Sequence, residues 1–297
     1  MTPEAEDRAI GCLVGLAVGD ALGTTLEFTA RDSGLPLTDM IGGGPFALAP
    51  GQWTDDTAMA LALADSLAAR PNFDAHDLML RFTSWWREGE YSCTGTCFDI
   101  GLATSAALGR YEATGDPLAG SDDPRSAGNG SLMRLAPVAL LGAAGGDWRR
   151  VARAQSATTH KAAACLDACE HYAALLVEAI LGADRAALLA PRTVEAVPEV
   201  AAIFAGGWVE KERHQISSSG YVVHSLEAAL WCVGRTARFD DAVLLAANLG
   251  DDADSVAAIT GELAGALYGL DAIPGRWRER LAWAGRIEAA GRRLLAG

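Results

Sequence analysis

Residues 11–23 read GCLVGLAVGDALG, with Gly11, Gly15, Gly19 and Gly23 at every fourth position of a stretch whose other residues are apolar except Asp20. A four-residue step keeps positions on one face of an α-helix, so these glycines form a bare strip along it. Each glycine costs a helix interior about 0.8–1.0 kcal/mol relative to alanine, and close packing or function must offset the loss. The spacing returns near the other end of the chain as Gly261, Gly265 and Gly269, in GELAGALYG. Two bare strips predict two helices whose backbones press together in the core.

The rest of the chain fits that beginning. It has 297 residues, 50% of them hydrophobic and only 7% aromatic, a composition of close-packed helices rather than of a sandwich of sheets. The first helix is predicted over residues 5–27. Further helical patterns cover 54–70, 75–88, 97–113, a stretch from about 131, then 147–157, 161–183, 194–206, 221–235, 238–248, 254–269 and 276–295. No stretch alternates like a strand and no linker divides the chain, so the expectation is one all-α domain over residues 1–297. The segment 28–53, with IGGGPFALAPGQW inside it, is longer than a compact domain usually leaves without structure, which predicts a mobile lid.

A net charge of −14 and a pI near 4.7 argue against tracking a phosphate backbone, which needs clustered Lys and Arg. The acidic start MTPEAEDRAI lacks the pattern of a signal peptide, and no apolar run is expected to approach about 18 residues. A cytoplasmic monomer with no membrane or nucleic-acid partner is the expectation. Six cysteines, at 12, 93, 97, 165, 169 and 232, contain no C-x-x-C pair, so reduced thiols are expected, with Cys165 and Cys169 packed in a core helix.

Two short segments carry more oxygen than a core helix needs. WTDDTAMAL places Thr54, Asp55, Asp56 and Thr57 at one helix start, and GDDADSVAA places Asp252, Asp254 and Ser255 at another. Either turn alone reads as an N-cap, for which one oxygen-bearing side chain suffices. If both turns converge, four carboxylates and Glu27 would meet, and their mutual repulsion would raise their pKa values unless cations were bound. Oxygen ligation without His or Cys selects a hard ion, Mg²⁺ or Mn²⁺. An EF-hand is excluded because, counting from Asp251, Val256 stands at the sixth position, where the turn needs glycine.

At this point the chain resembles the ADP-ribosylglycohydrolases, including the dinitrogenase reductase-activating glycohydrolases. The resemblance is carried by GLAVGDALGTTLEF at 15–28, GQWTDDTAMALAL at 51–63, AGNGSLMRLAP at 127–137, TTH at 158–160, SSGYVV at 218–223 and GDDADSVAAITGELAGALYG at 250–269. It implies a compact orthogonal multi-helix domain and two Mg²⁺ or Mn²⁺ ions. By the resemblance the metal ligands are Thr54, Asp55, Asp56, Asp252, Asp254 and Ser255, with Asp55, Asp254 and Glu27 central to catalysis. Family members more often have GGDADT where this chain has GDDADS, so Asp251 adds a charge where glycine is common.

For the nucleotide, the resemblance points to Gly128, Asn129, Gly130 and Ser131 at the pyrophosphate, His160 at a phosphate or ribose, Tyr221 stacked on adenine, and Asp99 at the ribose or substrate. GNG is not a P-loop, since the lysine and its spacing are missing; exposed N–H groups are its natural use. The implied activity is hydrolysis of the glycosidic bond between ADP-ribose and a protein side chain, arginine favoured, or a small molecule, with Glu27 as general base. Two other readings stay open on the residues: a dinuclear hydrolase of nucleotide phosphoesters, and an ADP-ribose-binding protein without catalysis.

Overall fold

A computed structural model describes residues 1–70 and 72–296. Among them are fourteen α-helices and no sheet, only isolated backbone bridges. Helix α1, Pro3–Gly23, opens with a Thr2 cap whose hydroxyl accepts from Ala5 N at 3.2 Å, and with Pro3 in the first turn. From Ala9 to Gly23 every residue is buried. It is apolar on all sides, as a helix at the centre of a domain must be.

Its partner is α12, Ala253–Tyr268, running antiparallel, and the two make the most extensive helix contact in the molecule. The register follows the bare strips. A Cβ on Gly11 would fall 2.6 Å from the Gly265 carbonyl oxygen, and one on Gly15, Gly19 or Gly23 would overlap the carbonyls of Gly261, Ala257 and Ala253 in turn. The α12 strip is thus Gly265, Gly261, Ala257 and Ala253. Gly269 lies just beyond the helix with φ +87, opposite Asp7. Close approach of two backbones is what the glycine spacing predicted.

Around this pair stand α2 (Asp55–Ala69), α5 (Ala136–Ala143), α7 (Ala163–Ile180), α10 (Val222–Arg235), α11 (Phe239–Ala247) and α14 (Ala284–Ala296). Outside them lie α3 (Ala75–Glu88), α4 (Leu102–Thr114), α6 (Trp148–Thr159), α8 (Arg185–Leu189), α9 (Pro198–Phe204) and α13 (Gly275–Arg280). The sequence reading gave no sign of α8.

Several expectations need correction. The first helix stops at Gly23 and passes through a 3₁₀ turn, Thr24–Leu26, so that Glu27 (φ −57, ψ 134) stands clear of the helix. Helix α4 begins at Leu102 rather than 97, because Gly95 (φ +77) and Asp99 (φ 57) turn the chain in left-handed conformations. The helix predicted over 276–295 is two helices. Between them Trp283 takes φ 58 and its ring meets Trp53 edge-on at 5.3 Å, while Trp53 Nε1 donates to Ala282 O at 2.9 Å. The break therefore seats the segment that leads into α2.

The expected lid is tied down. Arg31 donates to Leu249 O, Arg213 O and Ile216 O at 2.9, 2.7 and 2.7 Å, and Asn248 holds both backbone groups of Leu37. Met40 and Trp53 are buried. The segment 28–53 is a strap across the domain. The membrane-span expectation also changes: the segment Pro3–Leu26 contains an 18-residue window of mean hydropathy 1.6, long and apolar enough to span, yet 89% of that window is buried inside the domain. All six cysteines are unpaired thiols, and Cys165 and Cys169 are buried in α7 as expected.

Candidate metal centre and active site

The antiparallel pair decides where the acidic turns meet. At the end where α1 finishes, α12 begins, and a Cβ on Gly23 would strike the backbone of Ala253 and Asp254. Residues 20–27 and 252–255 are thereby held side by side across more than two hundred residues of sequence. The start of α2 comes in from the third side.

Asp20 fastens it there. This fully buried carboxylate accepts from Thr54 N and Thr54 Oγ1 at 2.9 Å each through Oδ1, and from Thr57 N at 3.0 Å and Thr57 Oγ1 at 2.6 Å through Oδ2. Thr54, the N-cap residue of α2, makes no side-chain cap bond of its own. The cap comes from another helix. The same holds for α12, whose N-cap Asp252 also makes none, while Glu27 Oε2 accepts from Asp254 N at 3.3 Å. Asp55 and Asp56 thus do no capping at the start of α2, whereas Asp254 Oδ1 accepts from Ser255 N at 2.7 Å and keeps its other oxygen toward Thr54.

Two groups of carboxylates, Asp20 with Asp56 and Asp254, and Glu27 with Asp252 and Asp254, each bring one oxygen per residue within 4.8 Å of the others. Asp254 belongs to both. Thr54 Oγ1 lies 3.3 Å from both Asp56 Oδ2 and Asp254 Oδ2. Asp55 and Asp99 line the cavity beside these groups.

Burial, compounded by neighbouring negative charge, pushes these carboxyls up. Asp20 and Asp252 rise to about 7, each with Asp254 as the main charged neighbour, and Asp254 rises to about 6. Asp99 rises to about 6 through burial and through Asp20 and Asp252, and Glu27 is pushed up to about 12 by burial and then by Asp254. Asp55 and Asp56 are raised well above the carboxylate range, again chiefly by burial. Seven carboxyls in such a setting need protons or cations.

The donor set distinguishes the two. Asp20 has four donors on its two oxygens, which fills the lone pairs of a carboxylate; it is a brace. Asp56 Oδ1 is buried with no hydrogen-bond partner among the described residues, which leaves it open to a cation. Thr54, Asp55, Asp56, Asp252 and Asp254 thus fit a hard divalent ion.

A cavity of about 560 Å³ opens over this cluster, within the size range of ligand sites. Asp55, Asp252 and Asp254 form its acidic floor, with Glu27, Asp99, Gly128, Asn129, Gly130, His160 and Ser255 on its walls, and no lysine or arginine lines it among the described residues. Gly130 is required by closeness: a Cβ there would stand 2.7 Å from the His160 ring. Phe28 and Asp251 line both this cavity and an adjoining one of about 620 Å³.

Other predicted contacts land differently. Asn129 Nδ2 donates one proton to Asp252 Oδ2 at 2.6 Å and the other to Ser225 Oγ at 2.9 Å, so its amide orients Asp252 and has no proton left for a phosphate. Ser131 is turned into the core, where its hydroxyl meets Ser156 Oγ at 2.8 Å and the Cys169 thiol at 3.5 Å; the helix it was expected to open begins at Ala136. Tyr221 does not line the cavity: its backbone bridges Gly128, and its ring meets His224 edge-on at 5.1 Å. Ser255 Oγ points to Met133 Sδ at 3.6 Å. Asp20 escaped the sequence reading altogether, and a lone charge inside GLAVGDALG was the one signal it gave.

Comparison with known proteins agrees with this fold. The sequence profile of the family described as ADP-ribosylglycohydrolase matches residues 1–297. The chain is 49% identical to an ADP-ribosylarginine hydrolase, Tri1, of Pseudomonas putida strain GB-1, over 99% of its own length and 80% of that protein's. It is 35% identical to an ADP-ribosyl-[dinitrogen reductase] glycohydrolase of Rhodospirillum rubrum, over 94% and 92%. A solved structure titled ADP-ribosylglycohydrolase-related protein complex superposes with a TM-score of 0.89 at 44% identity, covering 99% of both chains. Matched over its whole length in sequence and in structure, this all-helical chain is a member of the ADP-ribosylglycohydrolase family.

Proposed function

We propose that this protein hydrolyses the glycosidic bond between ADP-ribose and the guanidinium of a modified arginine, using two Mg²⁺ or Mn²⁺ ions. The observation that carries the metal part is Asp254, common to two carboxylate groups, beside the partnerless oxygen of Asp56. The substrate part is supported by the relatives 49% and 45% identical to this chain, both named ADP-ribosylarginine hydrolase. Thr54, Asp55, Asp56, Asp252 and Asp254 would hold the ions, and Ser255 would join them on turning its hydroxyl from Met133. When bound, the pair supplies Lewis acidity toward the ribose hydroxyls and a water of lowered pKa.

The chain's own residues do the rest. Asp20 holds the start of α2, which carries Thr54, Asp55 and Asp56, and Asn129 holds Asp252. The anionic floor favours the oxocarbenium character that builds on the ribose as the bond breaks. Glu27, beside Asp254 N, is ionised once the charge around it is neutralised, and then takes the proton of the attacking water. An arginine guanidinium is already cationic, so it leaves as neutral guanidine and afterwards regains that proton. One carboxylate therefore suffices where an ordinary glycosidase needs two. Asp99 and Asp251 on the cavity wall suit a cationic leaving group, and the unpaired thiols support the cytoplasmic placement read from the sequence.

The test is product analysis on defined ADP-ribosyl conjugates with Mg²⁺ or Mn²⁺. Free ADP-ribose from the arginine conjugate, lost on chelation, is expected, and Glu27→Gln should still bind ADP-ribose without turning over. AMP and ribose phosphate as products would establish the phosphoesterase reading instead, and binding without any hydrolysis would establish a non-catalytic one.

A further inference from the structure

Arg134 is fully buried in the GNGSLMR segment and donates to no carboxylate among the described residues. Its Nε donates to Gln155 Oε1 at 2.9 Å, and Nη2 donates to Gln155 O at 3.0 Å and to Thr159 Oγ1 at 2.9 Å. Thr159 Oγ1 in turn lies 2.8 Å from His160 Nδ1. Both threonine and histidine are buried, and His160 faces the cavity between Gly128 and Gly130.

Proton counting fixes the chain. A guanidinium only donates, so Thr159 Oγ1 is the acceptor from Arg134. The hydroxyl has a single proton of its own, and Nδ1 is the acceptor within reach. Were Nδ1 protonated instead, that hydroxyl proton would be buried with no partner, a costly arrangement. Nδ1 is therefore bare, and the ring's proton sits on Nε2, which has no hydrogen-bond partner among the described residues.

We infer that Arg134 and Thr159 form a relay that locks His160 as a neutral Nε2–H donor aimed into the cavity, making both of them positioning residues for substrate binding. The donor suits an acceptor-only group, and this deepens the functional reading above, on which the identity of that group as a phosphate oxygen of ADP-ribose rests. The titratable groups around the ring agree with a neutral histidine: Arg134 behind it repels a further proton, Cys165 is engaged with Gly128 O at 3.4 Å, and Asp99 stands elsewhere in the same cavity wall. Burial, followed by Arg134, lowers the imidazole to about 3. His160 is thereby a fixed donor rather than an acid or base of the reaction.

Nitrogen NMR of the Mg²⁺-loaded full chain, labelled at histidine and followed from about pH 5 to about pH 9, tests this in the wild type, Thr159→Val and Thr159→Ser. The expected wild-type spectrum shows a protonated Nε2, a bare Nδ1 and no titration. Thr159→Val should lose the single tautomer and weaken ADP-ribose binding about tenfold, and Thr159→Ser should restore both. A bare Nε2 in the wild type, or a ring that charges within that range, overturns the relay, as does an unchanged tautomer in Thr159→Val. The wild-type spectrum needs no ligand and no variant, so it decides the tautomer even if Thr159→Val is unstable. If that spectrum is as expected but ADP-ribose does not bind, the functional reading fails and the relay stands.

Discussion

Asp20 caps a helix to which it does not belong: its Oδ2 accepts the backbone N–H of Thr57 at 3.0 Å and the Thr57 hydroxyl at 2.6 Å. The effect is to free Asp55 and Asp56 from the capping work that residues in the first turn of a helix usually perform.

Removing that brace should cost both stability and activity. Asp20→Ala leaves the N–H groups of Thr54 and Thr57 buried without partners, which is expected to destabilise the fold by about 1–3 kcal/mol in denaturant titrations. Hydrolysis should fall by at least about tenfold under conditions where the variant is fully folded, because Thr54 and Asp56 lose their fixed geometry. An Asp20→Ala protein of undiminished activity would show that the brace is dispensable.

Asp254 and Asp252 should separate by stoichiometry. Asp254 belongs to both carboxylate groups and Asp252 to one. Calorimetric titration with Mn²⁺ is expected to show two ions on the wild type, one on Asp252→Ala and none on Asp254→Ala. Identical loss in both variants would contradict a shared Asp254.

The metal-free protein should be less stable as pH rises. Asp20 and Asp252 near 7, and Asp254 and Asp99 near 6, all stand above the unfolded value of about 3.9. Between about pH 4 and pH 7 the folded state then holds more protons than the unfolded one, so its stability is greatest below that window and is lost on passing up through it. Cations compete for the same oxygens, so saturating Mg²⁺ should remove the decline, and metal binding near pH 6 should release protons. Thermal melts across this window, with and without metal, check both signs.

Two glycine substitutions should have opposite effects. Gly19→Ala drives a methyl into the Ala257 carbonyl and is expected to destabilise by about 1–3 kcal/mol. Gly109→Ala, within α4 where a Cβ meets nothing within 4 Å, should stabilise by about 0.5–1 kcal/mol through helix propensity. Equal effects would show that the bare strip is not a packing device.

The parts of this fold legible in the sequence are those set by short-range repetition. Gly11 to Gly23 announce a close helix contact, and the excess of oxygen at 54–57 and 252–255 announces a site, because each pattern is local. Asp20 is not legible that way: its meaning lies wholly in the threonines it meets, which arrive from another helix. Asn129, Ser131 and Tyr221 were placed by resemblance at the nucleotide, and the structure gives the first to Asp252, the second to the core and the third to the neighbourhood of His224. The break at Trp283 escaped for a related reason. Its left-handed φ is imposed by docking against Trp53, and nothing in a helix-favouring run of residues 276–295 foretells it.

The contact between α1 and α12 has an evolutionary corollary. Because main chain touches main chain, the spacing between Glu27 and Asp254 works like a ruler cut in the polypeptide itself, indifferent to the shapes of the leucines and valines around it. Descendants of this chain are free to exchange most of their interior while the distance across the reaction centre is inherited unaltered, so long as no methyl group enters at Gly15, Gly19 or Gly23.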